Sequence, residues 1–453
     1  MQRRTFLALL ALPLAARAAN TTTSSALYTR LLRALANIET IDTHEHILPE
    51  AQRVRQPLGF FTLASHYLIN DVISAGLPAD DQRRIESDDV PLLTKWKLFE
   101  PYWRYARFTG YAEALRIAIK DIYGFQEISR ATITRIEGVI AERNKPGLYR
   151  EVLKRRSHIR FCVNDQYWQP TAVAVDPELF VLAQKFDQFV MPITPLGVQR
   201  LEKQADTSIR NLAGLKRAME KMFELALAAG MVTVKSTAAY LRDLRFSEVT
   251  EADASRDFER LLRGDEPVPE GFRQLERRPY RQLADHMFHH LLGLADAHRI
   301  PVQIHTGLHA GNGNFIANSR PADLTNLFFL FPRVQFDLFH IGYPYWRECA
   351  VLAKTFQNVH VDFCYMHIIS PSGARAALHE MLETVPANKI FGFGGDYRYP
   401  ELSYGHLVMA RRNIARVLAE RVEAGTNTEE ESLEIARWLL HDNPARLFAP
   451  RQR

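Results

Sequence analysis

Cysteine is scarce in this sequence, and the spacing of the few cysteines argues against two kinds of site. The 453 residues include three, Cys162, Cys349 and Cys364, and no two of them form a C-x-x-C pair. Neither a disulfide framework nor a thiolate metal site is therefore predicted, although a single chance disulfide stays open.

Long apolar runs and a strong excess of charge are also lacking. Beyond the N-terminus no run of about 20 apolar residues occurs, so no membrane span is predicted in the mature protein. The formal net charge is +5, and Arg3, Arg4 and Arg17 account for three of these charges. Because the other charges are spread along the chain, a nucleic-acid partner is not expected.

The first 18 residues have the features of an export signal. Arg3-Arg4-Thr5-Phe6-Leu7 leads into an apolar run that ends at Ala16-Arg17-Ala18, an A-x-A type cleavage site. Twin arginines followed by Phe-Leu resemble a twin-arginine translocation signal, while an ordinary Sec signal or an uncleaved anchor stays open. We predict a signal over 1–18, a linker and leading helix over 19–38, and export, most simply to the periplasm.

Eight short β-rich runs alternate with helical patterns over the rest of the chain. The runs are 39–46, His158–Val163, Phe189–Ile193, Met231–Lys235, Pro301–His305, Val334–His340, Val359–Phe363 and Ile390–Gly394. Alternation of this kind predicts parallel strands joined by helical crossovers. Eight units over about 400 residues fit a (β/α)8 barrel of the α/β class better than an open doubly wound sheet. We assign the barrel to 39–453.

A long helical region interrupts the early barrel at about 91–155 and is predicted to be an insertion over one face. It is rich in aromatic residues, which form either the core of the insertion or contacts to a ligand. A second, charged insertion is predicted over Ser247–Pro279.

Histidines and one aspartate fall at the ends of predicted strands. His44 and His46 are two residues apart on the first strand, so both side chains point to one face and could hold a metal ion. Asp42 shares that face one step deeper and could brace a ligand, whereas Glu45 is predicted to point to the opposite face. His305, His340 and Asp396 end three later strands. In a barrel these ends converge on one mouth, where active sites lie.

The ordered motifs resemble the amidohydrolase superfamily, and more narrowly the amidohydrolase-related (amidohydrolase 2) family with its nodulin-type domain. The motifs are Asp42-Thr43-His44-Glu45-His46, Ile304-His305-Thr306-Gly307, Leu338-Phe339-His340-Ile341-Gly342-Tyr343-Pro344, Gly394-Gly395-Asp396 and Asn443-Pro444-Ala445-Arg446-Leu447-Phe448. The resemblance covers nearly the whole mature chain. It implies that His44, His46, His305 and Asp396 are metal ligands and that Asp396 also handles protons. It implies for His340 either a second-metal ligand or a neutral imidazole that contacts substrate.

Three imidazoles and a carboxylate suit a divalent ion, above all Zn²⁺. Lys235, at the end of the fourth strand, bears on the number of ions. In some superfamily members a carboxylated lysine there bridges two ions; a free ammonium that binds a substrate carboxylate, or a structural ion pair, are the alternatives. No sequence feature requires a second ion, so one ion is favoured over two.

Loops at the predicted mouth supply further candidates. Arg398 follows Asp396 with Tyr397 and Tyr399, Asn164-Asp165-Gln166 follows the second strand, and His309 lies in the fifth loop beside Gly311-Asn312-Gly313-Asn314. We predict that Lys235, Arg398 and His309 bind substrate.

The leading functional hypothesis is hydrolysis of a C–N bond, in an amide or cyclic amide of a small molecule, by metal-activated water. Uronate isomerases resemble this chain in an H-x-H start, a His-Tyr pair (here His66-Tyr67) and long helical insertions, and decarboxylases share the barrel. A non-catalytic derivative would be expected to lack one or more ligands, and none is missing. The expected partner is a small molecule, and a homo-oligomer is compatible with the sequence.

Overall fold

The strands form one continuous parallel sheet that follows the order of the chain. The computed structural model describes residues 26–165, 176–192, 194–266 and 279–450. Its strands are β1 (Thr40–Glu45), β2 (Ile159–Asp165), β3 (Phe180–Lys185), β4 (Met231–Ser236), β5 (Val302–His305), β6 (Phe336–Phe339), β7 (Val359–Asp362) and β8 (Ile390–Phe391). Each strand pairs in parallel with the next.

Backbone hydrogen bonds between β1 and the segment after β8 close this sheet into a barrel. Thr43 N donates to Phe393 O (3.2 Å), Asp396 N to His44 O (2.8 Å) and His46 N to Tyr397 O (2.9 Å). The predicted α/β fold, a (β/α)8 barrel with helical insertions, is thereby confirmed.

The third strand was predicted in the wrong place. The predicted run is Phe189–Ile193, of which Ile193 lies outside the described residues; Asp187–Val190 is a short helix, and β3 lies upstream at Phe180–Lys185. Phe189 and Val190 are buried against the outer core, where a short apolar run has the same pattern in a helix as in a strand.

The segment between β1 and β2 is almost entirely helical. A helix over 26–36 precedes β1, and between the two strands lie Glu50–Arg53, Phe60–Ala64, Leu68–Ser74, Ala79–Glu86, Leu92–Ala106, Gly110–Asp121, Ile133–Arg143 and the π-helix Arg150–Arg156. Trp96, Phe99 and Trp103 are buried with Phe60 in a cluster that also includes residues after β7 and β8, whereas Tyr105 and Phe108 are exposed. Most of the aromatic residues here therefore stabilise the insertion itself.

The remaining helices surround the barrel. After β3 come Asp187–Val190, Pro195–Ala205 and Leu212–Ala228; after β4, Ala238–Tyr240, Glu251–Arg263 and Arg281–His298; after β5, Ile316–Ser319, Pro321–Leu324 and Thr325–Leu330; after β6, His340–Gly342 and Trp346–Thr355; after β7, Met366–Ile369, Pro371–Thr384 and Ala387–Lys389; after β8, Pro400–Glu423, Glu429–Arg437, Trp438–Asp442 and Asn443–Phe448. Within the described ranges, no helix is both long and apolar enough to cross a membrane.

The two ends of the barrel have different chemistry. Ile41, Phe161, Val181 and Phe391, near the beginnings of their strands, form an apolar cluster that Phe448 of the last helix covers. Polar and titratable side chains gather at the opposite ends of the strands. The predicted signal at 1–18, Gln166 and part of the second predicted insertion (267–278) lie outside the described residues.

Candidate metal centre

His44, His46 and Asp396 bring three ligand atoms together at the mouth of the barrel. The Nε2 atoms of the two histidines are 3.3 Å apart, and Asp396 Oδ1 lies 3.5 Å from His44 Nε2 and 3.2 Å from His46 Nε2. A tetrahedral ion with ligand bonds of about 2.0–2.1 Å has edges of about 3.3–3.4 Å between its ligand atoms. The triangle therefore fits three vertices of such a site and leaves the fourth open.

The protonation states of this group suit a cation. Burial lowers the pKa of His44 well below its usual value, so its ring is neutral. Burial alone would raise the pKa of Asp396, but its contact with His46 and the positive charge of Lys235 hold it below the usual range. His46 Nδ1 donates to the Asp165 carbonyl (3.2 Å), which leaves its Nε2 lone pair facing His44 and Asp396.

His305 is placed beside His340 rather than in this triangle. His305 Nε2 donates to Leu308 O (3.1 Å) and His340 Nδ1 donates to Cys364 O (2.9 Å), since carbonyl oxygens only accept. The inner nitrogens, His305 Nδ1 and His340 Nε2, are 3.1 Å apart. Burial lowers the pKa of His305 well below its usual value and that of His340 to about 4, so both rings are neutral. Two lone pairs thus face each other, and a cation between them would relieve their repulsion.

Asp396 connects the two histidine pairs. Its Oδ1 faces His44 and His46, and its Oδ2 lies 4.0 Å from His340 Nε2. The Cys364 thiol joins His340 and Asp396 in a group whose ligand atoms lie within 4.8 Å of one another. Cysteine spacing did not indicate a role for this thiol, because no second cysteine lies near it in the sequence.

Lys235 is buried between the triangle and the barrel wall. Its Nζ lies 3.5 Å from His44 Nε2 and 3.6 Å from the centre of the Phe339 ring. Burial lowers the pKa of Lys235 to about 8. Among the described residues no carboxylate is within ion-pair distance of it, so the geometry gives no support to a structural ion pair.

A cavity of about 270 Å³ opens beside the triangle. Its lining includes Lys185, Lys235, His66, Tyr67, Thr237 and Tyr240. Of the predicted substrate-binding residues, Lys235 lines the cavity. The ring of His309 lies beside that of Tyr240, with ring centres 4.6 Å apart. Arg398 is partly buried near His66. Burial lowers the pKa of His66, and the positive charge of Arg398 lowers it further.

Lys185 and Tyr240 were missed from the sequence. Lys185 ends β3, and its ammonium pairs with Asp165 Oδ2 (2.9 Å), whose backbone carbonyl accepts from His46. The sequence feature that could have identified Lys185 is a basic residue at the end of the run Phe180–Lys185. It was overlooked because β3 was predicted at the wrong place.

The backbone around the site is unusually strained. Tyr67, His340, Tyr365 and Asp396 all have positive φ, between 59° and 70°. Each such conformation costs on the order of 1–3 kcal/mol in a residue with a side chain, and it persists where the surroundings impose it. Clustering of this kind is typical of functional sites.

Comparison with known proteins agrees with the motifs. Residues 251–449 match the amidohydrolase family model. Protein fluG of Emericella nidulans is 30% identical over 200 residues, which are 43% of this chain and 23% of fluG. The chain thus spans less than a quarter of that relative's length.

Solved structures share the fold over nearly the full length. Glucuronate isomerase from Caulobacter crescentus is 18% identical, with a TM-score of 0.78 and 95% of each chain covered. Uronate isomerase from Thermotoga maritima is 17% identical, with a TM-score of 0.75 and 93% of this chain and 97% of that one covered. A metal-dependent hydrolase candidate from Lactobacillus casei is 18% identical, with a TM-score of 0.62 and coverage of 92% and 97%. At these identities the likeness shows the fold alone. The segment that matches the amidohydrolase family model, residues 251–449, includes His305, His340 and Asp396.

Proposed function

We propose that this chain is a metal-dependent hydrolase that cleaves a C–N bond, in an amide or cyclic amide, of a small molecule. The observation that carries the proposal is the triangle of His44 Nε2, His46 Nε2 and Asp396 Oδ1, whose 3.2–3.5 Å edges match a tetrahedral ion. His46 and Asp396 of the triangle line the cavity, so a substrate in the cavity would lie next to an ion held there.

The residues of the site have two roles in the proposed reaction, metal binding and proton transfer. His44, His46 and Asp396 would hold a divalent ion, for which Zn²⁺ is the best match to two imidazoles and a carboxylate. Such an ion supplies Lewis acidity, which polarises a carbonyl group and makes water acidic enough to lose a proton near neutral pH. Asp396 is ionised, and it accepts that proton and returns it to the leaving nitrogen.

A second ion is proposed between His305 and His340. The support is the 3.1 Å separation of two unprotonated ring nitrogens, together with Asp396 Oδ2 on the same side. Lys235 Nζ, 3.5 Å from His44 Nε2, could then bridge the ions as a carbamate or face the substrate as an ammonium. Metal analysis separates one ion per chain from two, and carbon dioxide dependence of activity identifies the carbamate.

The cavity favours a small anionic substrate. Two ammonium groups, Lys185 and Lys235, line it, and Asp396 is the carboxylate among its lining residues. Its volume of about 270 Å³ lies just below the usual range for drug-sized ligands, about 300–1,000 Å³. N-acyl amino acids and small cyclic amides with a carboxylate fit this description.

The test is a substrate screen on metal-loaded protein in H₂¹⁸O. We expect turnover of a carboxylated amide, with one ¹⁸O entering the product carboxylate. Turnover without ¹⁸O incorporation would contradict hydrolysis.

The second candidate is isomerisation of a uronate. His66 and Tyr67 line the cavity, and the Tyr67 hydroxyl donates to the Asp396 carbonyl (2.7 Å), so the His-Tyr pair is part of the site. Solved uronate isomerases also share the whole fold. Solvent deuterium at a substrate carbon, with no ¹⁸O uptake, would favour this candidate.

We also propose that the protein is exported through the twin-arginine route. The support is the sequence of residues 1–18, with Arg3 and Arg4 before the apolar run and the A-x-A site at its end.

A further inference from the structure

We propose that Asp42 and Glu45 of β1 are positioning residues that hold the backbone of Gly395–Tyr397, and with it Asp396, in the conformation that metal binding needs. This inference rests on the proposed role of Asp396 as a metal ligand.

Three successive backbone amides of this segment are bound by β1. Gly395 N donates to Asp42 Oδ1 (2.9 Å), Asp396 N to His44 O (2.8 Å) and Tyr397 N to Glu45 Oε2 (2.6 Å). Because each amide has its own acceptor on β1, the segment has a fixed register against the strand that carries His44 and His46.

The same carboxylate reaches both halves of the centre. Asp42 Oδ1 also accepts a hydrogen bond from His44 N (3.2 Å), so one oxygen joins the backbone of a β1 ligand to the residue before Asp396. The distance between the β1 imidazoles and the Asp396 carboxylate therefore depends on where this oxygen lies.

Asp396 needs such support because of its backbone. Its φ of 59° is in the left-handed region, which a residue with a Cβ occupies only when its surroundings impose it. In an extended conformation its side chain would leave the triangle, so the hydrogen bonds of its neighbours decide where the carboxylate points.

The packing at Gly395 and the hydrogen bonds accepted by the carbonyl oxygens of Gly395 and Asp396 also support this role. A Cβ on Gly395 would overlap the Glu45 carboxylate, so the glycine is what lets Glu45 lie against the backbone. His406 Nδ1 donates to Gly395 O (3.0 Å) and the Tyr67 hydroxyl donates to Asp396 O (2.7 Å). The peptide groups on both sides of Asp396 are thus held.

The sequence pattern assigned Glu45 to the opposite face, away from the site. The pairing of β1 with β2 shifts register between Asp42 and Glu45, and the Glu45 side chain is fully buried beside the 395–397 segment. The shift places one extra residue in β1 between Asp42 and Glu45, and sequence alternation does not reveal such an irregularity.

The experiment compares Co²⁺ binding by the full-length protein and four variants, with Co²⁺ alone as the probe. Glu45→Ala removes the acceptor of Tyr397 N, whereas Glu45→Gln keeps an oxygen that can accept it. Asp257→Ala is the matched control, because Asp257 also accepts backbone amides, from Gln282 (3.0 Å) and Leu283 (3.3 Å), on the helix Arg281–His298. Glu45→Asp keeps the carboxyl group on a side chain one methylene shorter.

We expect Glu45→Ala to weaken Co²⁺ affinity by about 10–100-fold, as loss of a group that orients a ligand typically does, and to change the visible spectrum of the bound ion. Glu45→Gln should restore affinity and spectrum to near those of the unchanged protein. Asp257→Ala should unfold at lower temperature with its affinity unchanged. If Glu45→Ala does not fold, Glu45→Asp carries the same expectation of weaker binding.

Distinct results overturn distinct claims. If the unchanged protein binds no Co²⁺, the metal centre and the positioning role both fail. If the protein binds Co²⁺ and a folded Glu45→Ala or Glu45→Asp binds it with unchanged affinity and spectrum, the positioning role fails alone. Equal loss of affinity in Asp257→Ala would also overturn it, because the effect would then be one of general stability.

Discussion

Replacing His44 and His46 together by alanine is the most direct perturbation of the proposed metal centre. The three ligand atoms are separated by 3.2–3.5 Å. Dividing a tetrahedral edge by about 1.63 gives the bond length, so these edges correspond to bonds of about 2.0–2.1 Å, as found for Zn²⁺ with nitrogen and oxygen ligands. X-ray absorption of the Zn²⁺-loaded protein should show nitrogen and oxygen neighbours at that distance.

The thermal effect of the ion can be worked out from binding linkage. At a free Zn²⁺ concentration of about 100 times Kd, binding stabilises the folded protein by about 2.7 kcal/mol. For large domains 1 kcal/mol shifts Tm by about 2–4 °C, and the lower value applies to a chain of this length, so the expected rise is about 5 °C. The double variant has lost two of three ligands and should show no rise and no bound zinc.

The assay combines metal analysis of the purified protein with thermal denaturation in the presence and absence of Zn²⁺. A matched control replaces His379 and His441, two partly exposed histidines, because it removes the same number of imidazoles away from the site. Full zinc content, or the same 5 °C rise (about 2.7 kcal/mol by the same linkage), in the His44→Ala/His46→Ala protein would refute the assignment.

Asp396→Asn should lower kcat by about 10²–10⁴-fold while zinc stays bound, since it removes the proton acceptor and keeps an oxygen; steady-state kinetics with metal analysis checks this, and near-normal turnover contradicts it. Lys185→Met should raise KM about 10-fold or more for a carboxylated substrate and little for its neutral amide analogue, and equal changes would contradict a charge contact. Burial lowers the pKa of His360 to about 3, so as the pH falls the unfolded chain binds a proton before the folded chain does. The free energy of unfolding should therefore fall by up to about 1.4 kcal/mol per pH unit below about pH 6.5. Urea denaturation of His360→Gln should show a shallower fall with pH, and curves parallel to those of the unchanged protein would contradict this. Changing Arg3 and Arg4 to lysine should leave precursor in the cytoplasm on cell fractionation, whereas normal export would indicate a Sec route.

The barrel could be predicted because β-rich runs alternate with helical patterns along the sequence, and because site residues fall at the ends of those runs. Seven of the eight predicted runs overlap strands, and His44, His46, His340 and Asp396 meet at one mouth as expected. Convergence of this kind follows from topology alone, since parallel strands in a barrel end on one face.

What the sequence could not show depends on local geometry. Phe189 and Val190 read as a strand because a buried helical turn and a buried strand have the same short apolar pattern. The contact of Glu45 with residues 395–397 was not predicted, because the register shift of β1 against β2 is not visible in the sequence. The grouping of His305 with His340, rather than with His44, depends on ring orientations that spacing does not encode.

The same geometry bears on the choice between hydrolysis and isomerisation. Moving a hydrogen between neighbouring carbons needs one group to take a carbon-bound proton and another to handle the hydroxyl proton. Tyr67 is the candidate for the second duty, but its hydroxyl donates to the Asp396 carbonyl, and burial raises its pKa well above the usual value. Asp396 is the carboxylate among the residues that line the cavity, and it is ionised. Hydrolysis needs only one proton acceptor, because the proton taken from water is the one that the leaving nitrogen needs. The presence of a single such carboxylate, Asp396, among the lining residues therefore favours the proposed hydrolase.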